Sequence, residues 1–236
     1  EPGEKPRRFY KAVDVRPVEG GFEVLLDGRN IRAPKGGKLI LPTEALAKIC
    51  AEEWAGQGEH IHLATMHATR LAYTTIEAIP GSREAVADQL AEYAGADLIC
   101  YFAEHPAALV ERHETHWAPL LDQAREEIGL VFLRASGIRH QEQPSETLAR
   151  VKALALELDD FGLAGLAFGT PLYGSTVLAF AVQRGWLSGE QAFELSRLDE
   201  AFQEEQWGVD DEAAERTARL RVEARMLGRW FEALRA

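Results

Sequence analysis

A chain of 236 residues is long enough to bury a sizeable core, as one large domain or as two unequal ones. Hydrophobic residues make up 46% of it and charged residues 27%, proportions that are ordinary for a globular protein and argue against extended disorder. The formal net charge of −12 argues against a nucleic-acid-binding protein, because counterion release requires concentrated Lys and Arg side chains.

The N-terminal part of the chain predicts a small β-rich domain that also carries a helix. The turn pairs Gly20-Gly21 and Asp27-Gly28 separate three short segments rich in β-forming residues, and a further strand is a candidate nearby. Pro42-Thr43 then signals a helix start, and the break at Ile79-Pro80-Gly81-Ser82 marks a domain boundary. The expected elements are strands at Phe9–Val18, Phe22–Leu26, Asn30–Ala33 and Lys38–Leu41, and helices at Thr43–Gln57 and Met66–Ile79.

Beyond the boundary the sequence predicts an almost wholly helical domain. The expected fold class is therefore α+β, with a β-rich domain over residues 1–80 and a larger all-helical domain over residues 81–236. Leu130–Ile138 fits either a short strand or a bent connection. The expected helices are Ser82–Ala103, Pro106–Gly129, Ser145–Phe161, Leu163–Gly185, Ser188–Gly208 and Asp210–Leu234.

The uncharged stretch Phe161–Gln183 has about the length of a bilayer span. Its glycines and Pro171 interrupt it, so we expect buried helical pieces and no membrane insertion. Cys50 and Cys100 lie in apolar stretches and are expected to be reduced, buried thiols. With no signal peptide visible in these residues, we expect a bacterial cytoplasmic protein, or a mitochondrial matrix protein in a eukaryote.

Three familiar kinds of site lack the residues that they require. His113, Glu114 and His116 have the wrong spacing for a zinc-hydrolase helix, so no metal is predicted. The glycine-rich segment 169–176 lacks the lysine of a phosphate-binding loop, and no serine lies in a nucleophile elbow. We therefore expect no cofactor and no catalytic residues.

The most informative run lies near the C-terminal end, from Leu198 to Gly208. Ser188 and Gln191 form a capping-box pair, which predicts one helix from Ser188 to Gly208. On that helix Leu195, Leu198 and Phe202 would share a core-facing stripe.

Phe193, Glu200 and Trp207 would share a second stripe on roughly the opposite side of this helix. A carboxylate between two large aromatic rings suits a partner-binding face, flanked by Asp199 and Gln203. A helix packed on both sides, with Glu200 as a structural cap or internal ion-pair partner, explains the pattern equally well.

Several motifs, taken in order, resemble the assembly chaperones of the F-type ATP synthase catalytic head. The resemblance extends from Arg8 to the last helix, although Met66-His67-Ala68-Thr69 stands where the family tends to have Met-Pro before a Thr. The motifs are Arg8-Phe9-Tyr10-Lys11, Leu26-Asp27-Gly28-Arg29, Leu41-Pro42-Thr43, Glu53-Trp54, Gln57, Tyr93, Asp97-Leu98, Tyr101, Trp117, Pro119-Leu120, Gly174-Ser175, Leu198-Asp199-Glu200, Gln203 and Trp207-Gly208.

The resemblance implies a chaperone that binds the unassembled α subunit, shields it from aggregation and leaves when β subunits replace it. It implies no enzymatic activity and no nucleotide, and we expect a monomer when the chain is free. Glu200 is expected to pair with a basic group on the partner. Two alternatives stay open: a carboxylate-dependent hydrolase or transferase using Glu200 and Asp97, and an acidic subunit that remains in its complex.

Overall fold

The computed structural model describes residues 3–236, which form two compact units. The first unit contains the residues up to Gly81 together with Arg229–Ala236, and the second is Ser82–Gly228. A small sheet lies in the first unit and most helices lie in the second, which confirms the α+β fold class. The last eight residues cluster with the N-terminal unit, whereas the sequence predicts them in the helical domain.

The N-terminal unit is built on an antiparallel sheet of three strands in the order β1-β2-β3. Asp27 and Gly28 have φ angles of 49° and 79°, and this pair of positive values suits a two-residue hairpin turn between β2 and β3. Lys38 and Leu41 join the sheet only through isolated bridges, so the expected further strand is not formed as a continuous element. The elements are β1 (Val13–Val18), β2 (Gly21–Leu26), β3 (Arg29–Asn30), α1 (Glu44–Ala55) and α2 (His67–Ala78).

The first motif of the chain stabilises the C-terminal end of α1. The guanidinium of Arg8 donates to the carbonyl oxygens of Gln57 at 2.5 Å and Ala55 at 3.1 Å. The hydroxyl of Tyr10 donates to the carbonyl of Trp54 at 2.5 Å. Because the last carbonyls of a helix have no partner within the helix, these side chains supply the missing donors.

Glu53 on α1 caps the start of α2. Its carboxylate accepts hydrogen bonds from the backbone N–H groups of Ala68, at 2.9 Å, and Thr69, at 2.7 Å, and from the Thr69 hydroxyl. A carboxylate is favourable at a helix N-terminus because it meets unpaired N–H groups and the positive end of the helix dipole. The start of α2 is therefore stabilised even though His67-Ala68 departs from the Met-Pro pattern of the family that the sequence resembles.

The second unit is helical except for one short parallel pair of strands. Tyr101–Phe102 (β4) pairs with Ala135–Ser136 (β5), so the expectation of a wholly helical domain is wrong at these residues, and Leu130–Ile138 contains a strand. The last helix continues from this unit into the residues that cluster with the first. The helices are α3 (Arg83–Ala94), α4 (Ala107–His116), α5 (Ala118–Ile128), α6 (Ser145–Leu156), α7 (Asp160–Tyr173), α8 (Thr176–Gln183), α9 (Gly189–Ser196), α10 (Leu198–Trp207) and α11 (Asp211–Arg235).

Several predicted helices are shorter than expected or divided. The helix expected at Pro106–Gly129 divides at Trp117, because Pro119 has no N–H to continue the hydrogen-bond ladder. The helix expected at Leu163–Gly185 divides at Gly174, whose φ of 65° ends α7. The first helix of this unit ends at Ala94, well before Ala103.

Asp97, one of the two carboxylates of the alternative enzyme hypothesis, is fully buried between helices. Its oxygens accept the backbone N–H groups of Ile99 at 3.1 Å and Val177 at 3.0 Å. Ser175, next in the chain after the glycine that ends α7, caps α8 through the N–H of Leu178 at 3.0 Å. Asp97 thus joins a distant segment to the N-terminus of α8, and its burial prevents contact with a substrate.

The buried carboxyl group predicts a pH dependence of stability. Burial raises the pKa of Asp97 from its ordinary 3.8 to about 6. Between these values the folded protein binds a proton that the unfolded chain has lost, so the contribution of Asp97 to stability falls as the pH rises. Relative to Asp97→Asn, the wild-type free energy of unfolding should decrease by about 2 kcal/mol from about pH 4 to about pH 7.

The measurement is urea denaturation of both proteins across this range. The difference in free energy of unfolding between wild type and Asp97→Asn should not change with pH above about pH 7, where Asp97 is ionised in the folded and the unfolded chain. A wild-type advantage that instead grows with pH would show that the helix N-terminal donors outweigh burial at Asp97.

Candidate functional site

The C-terminal run forms two helices instead of the single helix expected from Ser188 to Gly208. Arg197 separates α9 from α10, with φ of −107° and ψ of 14°. Two donors occupy the carbonyl groups at the end of α9. The indole N–H of Trp117 donates to Leu195 at 2.9 Å, and the hydroxyl of Ser196 donates to Phe193 at 2.6 Å. These side chains therefore supply donors to the last carbonyls of α9, where the helical ladder stops.

Phe193 is a core residue of α9, with 2% of its surface exposed. The guanidinium groups of Arg221 and Arg197 lie over its ring at 5.3 and 5.8 Å from the centroid. A helical period cannot be carried across a break, so the expected common stripe of Phe193, Glu200 and Trp207 is wrong. Direct contact with a partner would require Phe193 to leave the core.

Trp207 is the last residue of α10 and is 84% exposed. Val209, two residues further on, is 52% exposed, so a large ring and an aliphatic side chain stand together at the end of this helix. Gly208 between them has a φ of 78°, a value that favours glycine and ends α10. Trp is among the residues most enriched in the energetic centres of protein interfaces.

Asp199 fastens the start of α10 to α4. Its Oδ1 lies 2.6 Å from Nε2 of His113, which is 1% exposed. The backbone N–H of Ala103 donates to Nδ1 of the same ring at 2.9 Å, so Nδ1 is the acceptor and Nε2 carries the proton donated to Asp199. The ring also stacks on Trp117 with a centroid separation of 3.9 Å. Asp199 therefore positions the helix.

This geometry predicts that Asp199→Ala lowers the free energy of unfolding by about 1–2 kcal/mol, because the buried Nε2–H of His113 loses its acceptor. Asp199→Asn is the matched control, since an amide oxygen of the same shape still accepts that hydrogen bond. Thermal and urea denaturation would compare the three proteins. Equal stability of the Ala and Asn variants would contradict a positioning role for Asp199.

Further contacts hold the inward side of α10. Arg112 forms a bidentate pair with Glu205, at 3.0 and 2.5 Å, and its guanidinium lies over the ring of buried Phe202 at 5.2 Å from the centroid. The buried guanidinium of Arg197 donates to Glu204 at 2.8 Å. These contacts orient the helix so that its outward side stays open to solvent.

Glu200 and Gln203 lie on this open side. The Glu200 side chain is 69% exposed, and one carboxylate oxygen lies 3.3 Å from Nε of Arg197, one turn earlier. Gln203 is exposed as well. Because the Glu200 carboxylate is largely exposed and the buried Arg197 guanidinium keeps Glu204 as a second partner, the pairing of Glu200 with Arg197 accounts for little of the stability.

Within residues 3–236, His, Cys, Asp and Glu side chains form no group of three or more that could hold a metal ion. The Nε2–H of His113 is hydrogen-bonded to Asp199, and the neighbouring Glu114 forms an ion pair with Arg134. No helix in the described part of the chain is both long enough and apolar enough to cross a bilayer.

Known proteins are similar to this chain along most of its length. Residues 7–125 match the family described as ATP12 chaperone protein. The mitochondrial protein atp12 of Schizosaccharomyces pombe is 27% identical over 225 residues, which cover 89% of this chain and 76% of that protein.

Two crystal structures share the fold. Atp12 from Paracoccus denitrificans is 39% identical with a TM-score of 0.89, and the match covers 97% of this chain and 98% of that one. A protein of Agrobacterium tumefaciens is 38% identical with a TM-score of 0.89, over 97% of this chain and 86% of that one. The chain therefore belongs to the ATP12 chaperone protein family, a family of ATP synthase assembly chaperones.

Proposed function

We propose that this protein binds the unassembled α subunit of the F-type ATP synthase catalytic head and covers its assembly surface until β subunits replace it. Exposed Trp207 carries the proposal. An aromatic side chain of this size, left open at the end of a firmly held helix, has no stabilising role of its own in the free chain. It suits an anchor for another polypeptide.

The anchored helix favours such binding energetically. Asp199, Arg112 and Arg197 hold α10 in place before any partner arrives, so binding would order few additional groups. Asp210 and Asp211, which are exposed and follow closely after Trp207 in the chain, favour a partner surface that carries Lys or Arg. Glu200 is the exposed carboxylate that we assign to a basic group of the α subunit.

The proposed activity requires no substrate and no cofactor. An isolated ring subunit exposes a large apolar interface and tends to aggregate, and a temporary cover prevents this without chemistry. The protein would act in a bacterial cytoplasm, or in the mitochondrial matrix of a eukaryote, and would be a monomer when free. An acidic subunit that stays in the complex is distinguished by its presence in mature ATP synthase, from which a chaperone is absent.

The test uses the purified chain and the α subunit alone. Light scattering of the α subunit at elevated temperature should fall when the chain is added, and gel filtration should show a complex that β subunits dissociate. Unchanged aggregation together with no complex would overturn the proposal. Turnover of a small molecule that is lost with the carboxylates would favour an enzyme instead.

Glu200 gives a separate prediction. Glu200→Ala should weaken α-subunit binding about 5- to 30-fold, the effect of losing one interfacial charge pair, and change the free energy of unfolding by less than about 0.5 kcal/mol. Glu215→Ala on α11 is the matched control, because it removes the same charge from another exposed helical position. Binding by titration calorimetry and urea denaturation would measure the two effects. A loss of stability with unchanged binding would identify Glu200 as a structural cap.

A further inference from the structure

A second open feature of the helical unit is an apolar groove between α3 and α7. The cavity has a volume of about 380 Å³, within the range of ligand-binding pockets. Leu90 and Val86 line its α3 side, and Ala167 and Pro171 line its α7 side. Tyr93, at its edge, is 39% exposed.

One side chain that lines this groove has no hydrogen-bond partner, and one carbonyl beside it lacks its regular helical donor. Thr170 lines the cavity with 1% of its surface exposed, and its buried Oγ1 has no partner in the described part of the chain. Pro171 has no N–H, so the carbonyl of Ala167, four residues earlier, lacks the donor that a regular helix would supply. A hydroxyl and a carbonyl thus stand beside apolar walls. An unpaired buried polar group is costly unless a ligand completes it.

Glu92 also lines a second cavity of about 750 Å³, whose wall includes Leu133, Leu148 and several polar residues. Glu92 lies at the junction of the two cavities, is exposed, and forms no ion pair within residues 3–236. Leu133 is itself 44% exposed. The first cavity is mainly apolar and the second is lined by polar as well as apolar residues, with the Glu92 carboxylate where they meet. This open, extended shape suits an elongated segment better than a compact small molecule.

We propose that this groove binds a polypeptide segment of the partner, with an apolar side chain inserted between α3 and α7 and a Lys or Arg beside it. The inserted residue would bring an N–H or O–H group to the Ala167 carbonyl and the Thr170 hydroxyl. The basic side chain would pair with Glu92. The inference rests on the proposed function, since its occupant is a segment of the α subunit, but it assigns a second contact surface separate from α10.

Filling the groove tests the proposal directly. Ala167→Leu should weaken α-subunit binding at least about 10-fold, because the added side chain occupies the space of the inserted residue. Thr170→Val removes the unpaired hydroxyl at nearly constant volume and should weaken binding about 5-fold without lowering the melting temperature. Ala153→Leu, at an exposed position of α6 that lines neither cavity, is the matched control and should leave binding unchanged.

A photo-crosslinking residue at Tyr93 identifies the occupant. The crosslinked peptide of the α subunit should contain an apolar residue next to Lys or Arg, and Glu92→Gln should reduce both binding and its dependence on salt. No crosslink, or a crosslink to a segment without a basic residue, would overturn the proposal. If Ala167→Leu abolished the binding of a small molecule but left α-subunit binding unchanged, the proposal would also be overturned.

Failure of this inference is distinguishable from failure of the proposed function. If the wild type captures the α subunit and Trp207→Ala weakens capture while Ala167→Leu and Thr170→Val do not, the groove proposal alone is wrong. If the wild type captures no α subunit, the proposed function is wrong and the groove loses its assigned occupant. Should Ala167→Leu melt early, Thr170→Val decides the question by itself.

Discussion

Replacing Gly189 with alanine is expected to lower the free energy of unfolding by about 3 kcal/mol, because no space exists for a methyl group. Gly189 begins α9 where this helix meets α11. A Cβ at this position would lie 1.9 Å from the carbonyl oxygen of Ala224 and 2.8 Å from the backbone nitrogen of Gly228. Backbone atoms cannot rotate away as a side chain does, so the helices themselves would have to separate.

Gly228 is the reciprocal position on α11. Its Cβ would lie 2.7 Å from the backbone nitrogen of Gly189, so Gly228→Ala should also destabilise strongly. Gly58→Ala is the control, because nothing lies within 4 Å of a Cβ there and its φ is not in the left-handed region. Urea denaturation compares the variants. Similar stability of the Gly189 and Gly58 variants would show that the two helices can move apart at little cost.

Trp207→Ala is expected to have the largest effect on partner binding. Removing an exposed aromatic anchor should weaken α-subunit affinity by about 2–4 kcal/mol, or roughly 30- to 1000-fold. The free energy of unfolding should change by less than about 0.5 kcal/mol, because the ring is 84% exposed in the free chain. Titration calorimetry and urea denaturation measure these two quantities on the same samples.

Phe9→Ala supplies the comparison for Trp207. Phe9 is 70% exposed in the N-terminal unit, so its loss tests whether any exposed aromatic side chain contributes to binding. Equal weakening by the two substitutions would remove the special role of α10. Unchanged affinity of Trp207→Ala, with weakening by Ala167→Leu, would place the main contact in the groove between α3 and α7.

The sequence assigned Glu200, Gln203 and Trp207 to a partner-binding face, and all three lie on the open side of α10. Asp199 was assigned to the same face, but its carboxylate binds His113 of α4. The sequence also misplaced Phe193, because a period of 3.6 residues was extended across the break at Arg197. At this break the indole N–H of Trp117 bonds to the carbonyl of Leu195, 78 residues further along the chain. No local pattern encodes a contact at that separation.

The same limit applies to the motifs that first indicated the family. The pattern showed that Arg8, Glu53 and Asp97 occur in a recognisable order, but their roles depend on distant partners. Each supplies hydrogen bonds to the end of a helix elsewhere in the chain. The groove beside Thr170 also had no sequence signal, except that Pro171 inside a helix leaves one carbonyl without its donor.

The sequence alone was sufficient for the fold class, most helix starts and the family, because turn residues, caps and apolar periodicity act over a few neighbouring positions. The tertiary structure decided where the long helices divide, which side chains stay exposed and which polar groups remain unpaired. Those outcomes depend on donors and packing surfaces from remote segments, such as Trp117 at the end of α9 and Gly228 against Gly189. Such pairings exist only once the chain has folded.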